Sequence, residues 1–201
     1  MASIETLFAT KLYRAVLYAR RLNDELERAC REIAREDRAG QAWSRKHGYR
    51  GYTSYASLAD LPQRAPAFAD LVRHLDTHVA AFARALEFDL GHRALKLDSL
   101  WLNVMKSGSV HTAHIHPKSV ISGTYYVTVP PGAAALKLED PRLGLMMAAP
   151  PRKIRAARDN QTFVYLEPKP RTVLLWESWL RHEVPLNRAR GERISISFNY
   201  A

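Results

Sequence analysis

"RISISF", residues 193–198, alternates polar and apolar side chains without a break. In an extended chain successive side chains point to opposite faces. Arg193, Ser195 and Ser197 therefore share one face, and Ile194, Ile196 and Phe198 share the other. Such a strand separates an apolar environment from a polar interior. From residue 94 onward the chain supplies partners for it, because short alternating or apolar runs recur between turn residues. They cover 94–104, 114–116, 123–129, 135–138, 162–166, 172–176, 182–184 and 193–198. Eight short strands predict a mostly antiparallel jelly roll of cupin-like form, with the arginine turned inward.

The apolar environment has its source upstream. After Pro66, a good first-turn residue, Phe68, Leu71, Leu75, Val79, Phe82 and Leu86 recur at helical spacing up to a stop at Gly91. An earlier helix is predicted in "NDELERACREIARED", residues 23–37, with Asn23 as N-cap, Asp24 and Glu25 in the first turn, and Leu26, Cys30 and Ile33 on one face. Between the two, "HGYRGYTSY" (47–55) reads as a loop whose tyrosines are candidates to line a pocket. The fold class is mainly β with N-terminal helices. A helical part, 1–92, backs a β core, 93–201, and the whole is expected to form one domain.

The chain has 201 residues and is 47% hydrophobic, enough to bury a core. Its one cysteine, Cys30, excludes an intramolecular disulfide and fits a reducing compartment, so a cytoplasmic, soluble protein is expected. No run approaches the ~18 apolar residues that span a bilayer, so no membrane partner is expected. The net charge of +10 raises nucleic acid as a partner. Against it, the arginines are scattered. The densest cationic group, Arg152, Lys153, Arg155 and Arg158, lacks interleaved aromatics and reads as a solvated loop that attracts anions. A homodimer is left open.

A second stretch, "HTAHIHP" at 111–117, bears on chemistry. Parity in an extended chain puts His114 and His116 on one face, with Cα atoms about 6.6 Å apart, so two imidazoles can converge on one ion. His111 has the opposite parity and needs a bulge to join them. Eight histidines in such a chain give roughly 0.3 His-x-His pairs by chance, so the pair needs a third ligand. His182, at the start of a short strand, is the candidate, and Arg193 follows eleven residues later. An arginine inside a barrel is a costly buried charge unless it meets an anion. A carboxylate gripped by the guanidinium and a serine hydroxyl is the natural ligand; an internal acid such as Glu177 or Asp140 is the structural alternative.

This order of residues resembles the Fe(II)/2-oxoglutarate-dependent dioxygenases: His-x-Asp/Glu, a distant His, then Arg-x-Ser on a double-stranded β-helix. It is most similar to a bacterial and phage subgroup, through "HIHPKSVISGTYYVTVP", "EDPR", "ESWLRHEV" and "RISISFNY", with "WLNVM" and "GYTSY" resembling its upstream segments. The resemblance implies Fe(II) held by His114, His116 and His182, and 2-oxoglutarate bound at its distal carboxylate by Arg193 with Ser195. Tyr125 or Tyr126 is the candidate for a hydroxyl to the same carboxylate, and Asn103 for a polar contact to co-substrate or substrate. It further implies oxidative decarboxylation of 2-oxoglutarate by O2, coupled to hydroxylation of an unidentified small molecule or peptide.

The sequence departs from the family pattern at His116, where relatives carry a carboxylate. Three neutral imidazoles leave the centre about one unit more positive, which strengthens attraction for the dianionic co-substrate and makes higher oxidation states harder to reach. Asp140, Glu177 and Glu183 are the candidates for a compensating outer carboxylate, and Asp140 or His111 for the third ligand itself. Two rival readings remain at this stage. One is a cupin-like three-histidine metalloenzyme that does not use 2-oxoglutarate; the other is a basic nucleic-acid-binding protein.

Overall fold

A computed structural model describes residues 1–201. In chain order its elements are β1 (Tyr13–Val16), α1 (Arg20–Glu36), α2 (Arg38–Lys46), β2 (Gly51–Thr53), α3 (Leu61–Arg64), α4 (Pro66–Ala85), β3 (Leu97–Met105), β4 (His111–His114), β5 (Ile121–Thr128), β6 (Leu136–Glu139), β7 (Phe163–Leu166), β8 (Thr172–Glu177), β9 (His182–Val184) and β10 (Arg193–Tyr200). The strands pair in two antiparallel sheets. The major sheet runs β1-β8-β5-β10-β3-β2, and the minor sheet runs β4-β9-β6-β7.

The alternation of β10 organises both. Ile194, Ile196, Phe198 and Tyr200 are fully buried against Leu26 and Cys30 of α1 and Phe68, Leu71 and Leu75 of α4, so the helices cover the outer face of the major sheet. At roughly 1.5–3 kcal/mol for each large apolar side chain buried, this layer is the main stabilising block. Gly123 of β5 lies at its tightest point, since a Cβ there would sit 2.4 Å from the Phe198 ring. A smaller apolar cluster joins the two sheets where Met105, Tyr126, Leu174 and Trp176 meet Leu136, Leu138 and Val184. Between these sheets the inner face of β10 presents Arg193 and Ser195.

Several expectations are corrected. β1 and β2 lie inside the part expected to be helix and loop; they are edge strands of four and three residues that borrow their order from β8 and β3. Asn23 is not an N-cap. It is buried in the second turn of α1, where its Nδ2 donates to Val127 O (3.3 Å) and its Oδ1 accepts from the Tyr125 hydroxyl (2.9 Å). That bond also corrects the role expected for Tyr125, whose ring belongs to the helix-facing core, away from the interior. α4 stops at Ala85, and Glu87 (φ +60°) and Gly91 (φ +58°) turn the chain toward β3. Finally, β4 ends at His114, so His116 lies beyond the strand that the parity argument assumed.

Replacing Asn23 by alanine is expected to destabilise the protein by about 1–3 kcal/mol, because the Tyr125 hydroxyl and the Val127 carbonyl lose their partners in a buried site. Urea unfolding measures this, and a loss within error of zero would contradict it.

Candidate metal centre

The minor sheet brings the histidines together. β4 and β9 pair with His111 opposite Val184 and His114 opposite His182, and the extra residue between these pairs is a β-bulge that brings His111 onto the face of His114, where it lines the cavity. Past the end of β4, the His116 backbone N–H donates to Ser178 O (3.0 Å) and Lys118 adopts φ +73°, a tight turn that folds the His116 ring back. The rings of His114 and His182 lie 4.4 Å apart, those of His114 and His116 4.9 Å, and those of His116 and His182 5.2 Å. One nitrogen from each falls within 4.8 Å of the others.

Hydrogen bonds fix which nitrogen faces inward. His114 Nδ1 meets Thr112 O at 2.7 Å and His182 Nδ1 meets Leu180 O at 2.8 Å. A carbonyl only accepts, so each Nδ1 carries the proton and each Nε2 keeps a free lone pair, the tautomer a metal needs. Burial, helped by the other histidines, pushes the pKa of His182 down to about 3 and that of His116 to about 4. Both are neutral bases at physiological pH. His111 stays out of the cluster. Its Nε2 meets the Tyr49 hydroxyl at 2.7 Å, and burial together with the Arg193 charge holds its pKa down at about 3.

No acid compensates these imidazoles. Asp140 closes a turn, where its carboxylate is taken by the backbone N–H and guanidinium of Arg142 (2.9–3.0 Å), which hold its pKa low. Glu177 sits half-buried at the end of β8 opposite Ile121 and does not line the cavity. Glu183 pairs with Lys137 at 2.8 Å. Backbone carbonyls occupy the outer positions expected of these acids.

Arg193 is 2% exposed, and no carboxylate lies within ion-pair reach of it. Its Nη1 contacts Met105 Sδ at 3.1 Å, its Nε has no partner, and its Cζ stands 5.0 Å from the centroid of Tyr126. The Tyr126 hydroxyl is also unpartnered. Burial raises the pKa of this phenol and the Arg193 charge opposes the rise, so it stays protonated. Ser195 is paired between Asn103 and Tyr126 across the sheet. Asn103 donates from Nδ2 to Ser197 Oγ (3.3 Å), while its Oδ1 has no donor.

A single cavity of about 790 Å³ joins the three histidines to Arg193, Ser195 and Asn103. Its wall also contains residues that sequence reasoning passed over. Trp176 stands edge-on to His182 (4.8 Å), and its place was open to discovery from the alternation of "TVLLWE" with Leu174 and Trp176 on one face. Of the loop tyrosines, Tyr49 and Tyr55 line the cavity, whereas Tyr52 turns away to bond Asp37. The cationic segment 152–158 is exposed and apart from the cavity.

The family described as "Putative 2OG-Fe(II) oxygenase" matches residues 99–199, half of the chain. No curated protein matches the sequence. Among solved structures, a prolyl-4-hydroxylase from Pseudomonas putida is similar with a TM-score of 0.65 and 17% identity, over 95% of this chain and 92% of that one. HygX from Streptomyces hygroscopicus, with nickel and 2-oxoglutarate bound, gives 0.60 and 17% over 96% and 83%. The viral collagen prolyl hydroxylase of Paramecium Bursaria Chlorella virus-1, in a 2OG complex, gives 0.58 and 10% over 94% of both chains. At these identities the likeness is one of fold.

The buried histidines make metal-free stability depend on pH. Between pH 7 and 5 the unfolded chain takes up a proton on each histidine near 6.5, while folded His182 stays neutral down to about 3. The unfolded state binds more protons, so stability falls as pH falls, by up to ~1.4 kcal/mol per pH unit from His182 alone. Urea midpoints of the metal-free protein across this window are expected to drop, with a shallower slope in His182→Phe. Flat midpoints would contradict the neutral imidazole.

Proposed function

Because the chain belongs to the 2OG-Fe(II) oxygenase family, an oxidoreductase family whose members use Fe(II) and 2-oxoglutarate, we propose that His114, His116 and His182 hold the Fe(II), and that Arg193 with Ser195 receives the distal carboxylate of 2-oxoglutarate. One observation carries the reading: a buried guanidinium without an acid, in the same cavity as three convergent imidazoles. An unpaired buried charge costs several kcal/mol, and a carboxylate from the co-substrate offsets that cost.

The residues fit both groups. Neutral imidazoles are good donors to Fe(II), and a three-histidine set leaves its charge to be balanced by a dianionic co-substrate. When bound, iron and 2-oxoglutarate supply the activation of O2, the decarboxylation to succinate and the oxidation of a substrate C–H bond. The protein's part is positional. Thr112 O and Leu180 O lock the rings of His114 and His182 with Nε2 inward. Arg193 grips one end of a five-carbon diacid and so aims its other end at the histidines. Tyr126, pressed against Arg193, has a free hydroxyl to donate to the same carboxylate. Leu136, Val184 and Trp176 close the cavity floor and limit water.

The cupin-like reading without 2-oxoglutarate is answered by family membership, since the family takes its name from that co-substrate. Anaerobic addition of Fe(II) and 2-oxoglutarate is expected to give a visible metal-to-ligand charge-transfer band. Arg193→Ala should weaken 2-oxoglutarate binding by at least about a hundredfold, as expected for loss of a buried charged contact of about 3 kcal/mol or more. His182→Ala should abolish the band. An Arg193→Ala protein that binds 2-oxoglutarate with unchanged affinity would remove the assignment.

A further inference from the structure

The outer part of the cavity has a chemistry of its own. In a chain where 30 lysines and arginines face 20 acids, its wall contains no lysine and only one arginine, Arg193, which is buried and assigned above to the carboxylate of the co-substrate. Glu183 is neutralised by Lys137. That leaves one fixed charge facing the cavity without an ion-pair partner, the exposed carboxylate of Asp98. Its position is built into the sheet. Ser99 pairs with Asn199 and Leu97 with Tyr200, so Asp98 is the extra residue of a β-bulge in β3. A bulge of this kind re-aims a side chain beside a site.

The same cavity wall holds an aromatic corner. Tyr55 meets Trp101 nearly at right angles, with centroids 5.3 Å apart and planes at 73°, and Trp101 lies 5.7 Å from the ring of His116. Trp101 is 8% exposed, while Tyr55 is open at the rim. Ring faces present negative potential, so aromatic rings and a carboxylate in one cavity wall attract a cation and repel an anion. One further group points the same way. Asn103, two residues along the strand from Trp101 on the same wall, keeps a buried Oδ1 that lacks a donor, and it suits an N–H.

We propose that this mouth, formed by Asp98, Tyr55 and Trp101, binds a protonated amine or guanidinium of the substrate. The proposal rests on the reading of the same cavity as the Fe(II) and 2-oxoglutarate site. Since Trp101 touches His116, the cation sits one ring away from the histidines, and the oxidised carbon is a few bonds from it.

The test uses the protein loaded anaerobically with Fe(II) and 2-oxoglutarate, with perturbation of the visible band as the readout of binding. One arm compares 1,5-diaminopentane with neutral 1,5-pentanediol. A second compares the peptide acetyl-Gly-Lys-Gly-amide with its norleucine counterpart, and so separates a free amine from a side chain in a peptide. In at least one arm the cation is expected to bind about tenfold more tightly or better. That preference should shrink below about threefold in Asp98→Asn and in Tyr55→Leu, with retention of the band showing that each variant is folded and loaded. Equal binding of cation and neutral partner, no perturbation in either arm, or a preference untouched by both substitutions overturns the proposal. A band that never forms in the unaltered protein overturns the underlying Fe(II) and 2-oxoglutarate reading instead.

Discussion

A positive charge buried between two sheets, with no acid to meet it, is the constraint on which the molecule turns. Arg193 opens the strand that lies between β5 and β3 at the centre of the major sheet, and it is 2% exposed. Its neighbours along the strand divide by parity. The apolar set anchors the helices outside, and the polar set lines the chamber inside. The same backbone register that fastens α1 and α4 to the sheet therefore places a guanidinium in the cavity that the three histidines line. Stability and the proposed co-substrate contact share one strand, and a one-residue slip in its pairing would invert both.

Much of this was legible where one face of an element is buried and the other is not. The alternation of β10 and the stripe Phe68, Leu71, Leu75, Val79 and Phe82 each had a partner surface that the pattern implied. Legibility failed where both faces are covered. β5 is buried along nearly its whole length, so nothing in "ISGTYYVT" distinguishes the face of Tyr125 from that of Tyr126. The register shift in its pairing with β10 between Ile194 and Ser195 adds a further break in parity. β1 and β2 were hidden for another reason: strands of four and three residues carry too little pattern of their own and exist through the neighbours they pair with.

The histidine cluster shows how a correct grouping can follow from an incomplete local picture. Parity in an extended chain joined His114 to His116, yet β4 ends at His114, and a turn with a left-handed residue at Lys118 brings the second ring round. The third ring arrives from β9, directly across from His114. Orientation comes from main-chain carbonyls two residues before His114 and His182, a device that leaves no trace in side-chain identity. The acids marked in the sequence were instead spent on surface turns and on a lysine pair.

The placement of β10 also governs how the molecule is assembled. It emerges from synthesis after β3 and β5, yet it must insert between them, pairing Ser197 with Trp101 on one side and Thr124 on the other. Until it arrives, those two strands expose unpaired edges and the helices lack the central ridge they pack upon. Ring closure over so many residues is slow. Between the appearance of β5 and the pairing of β10 the sheet is incomplete, and the chamber comes into being in the same event that joins β3 to β5.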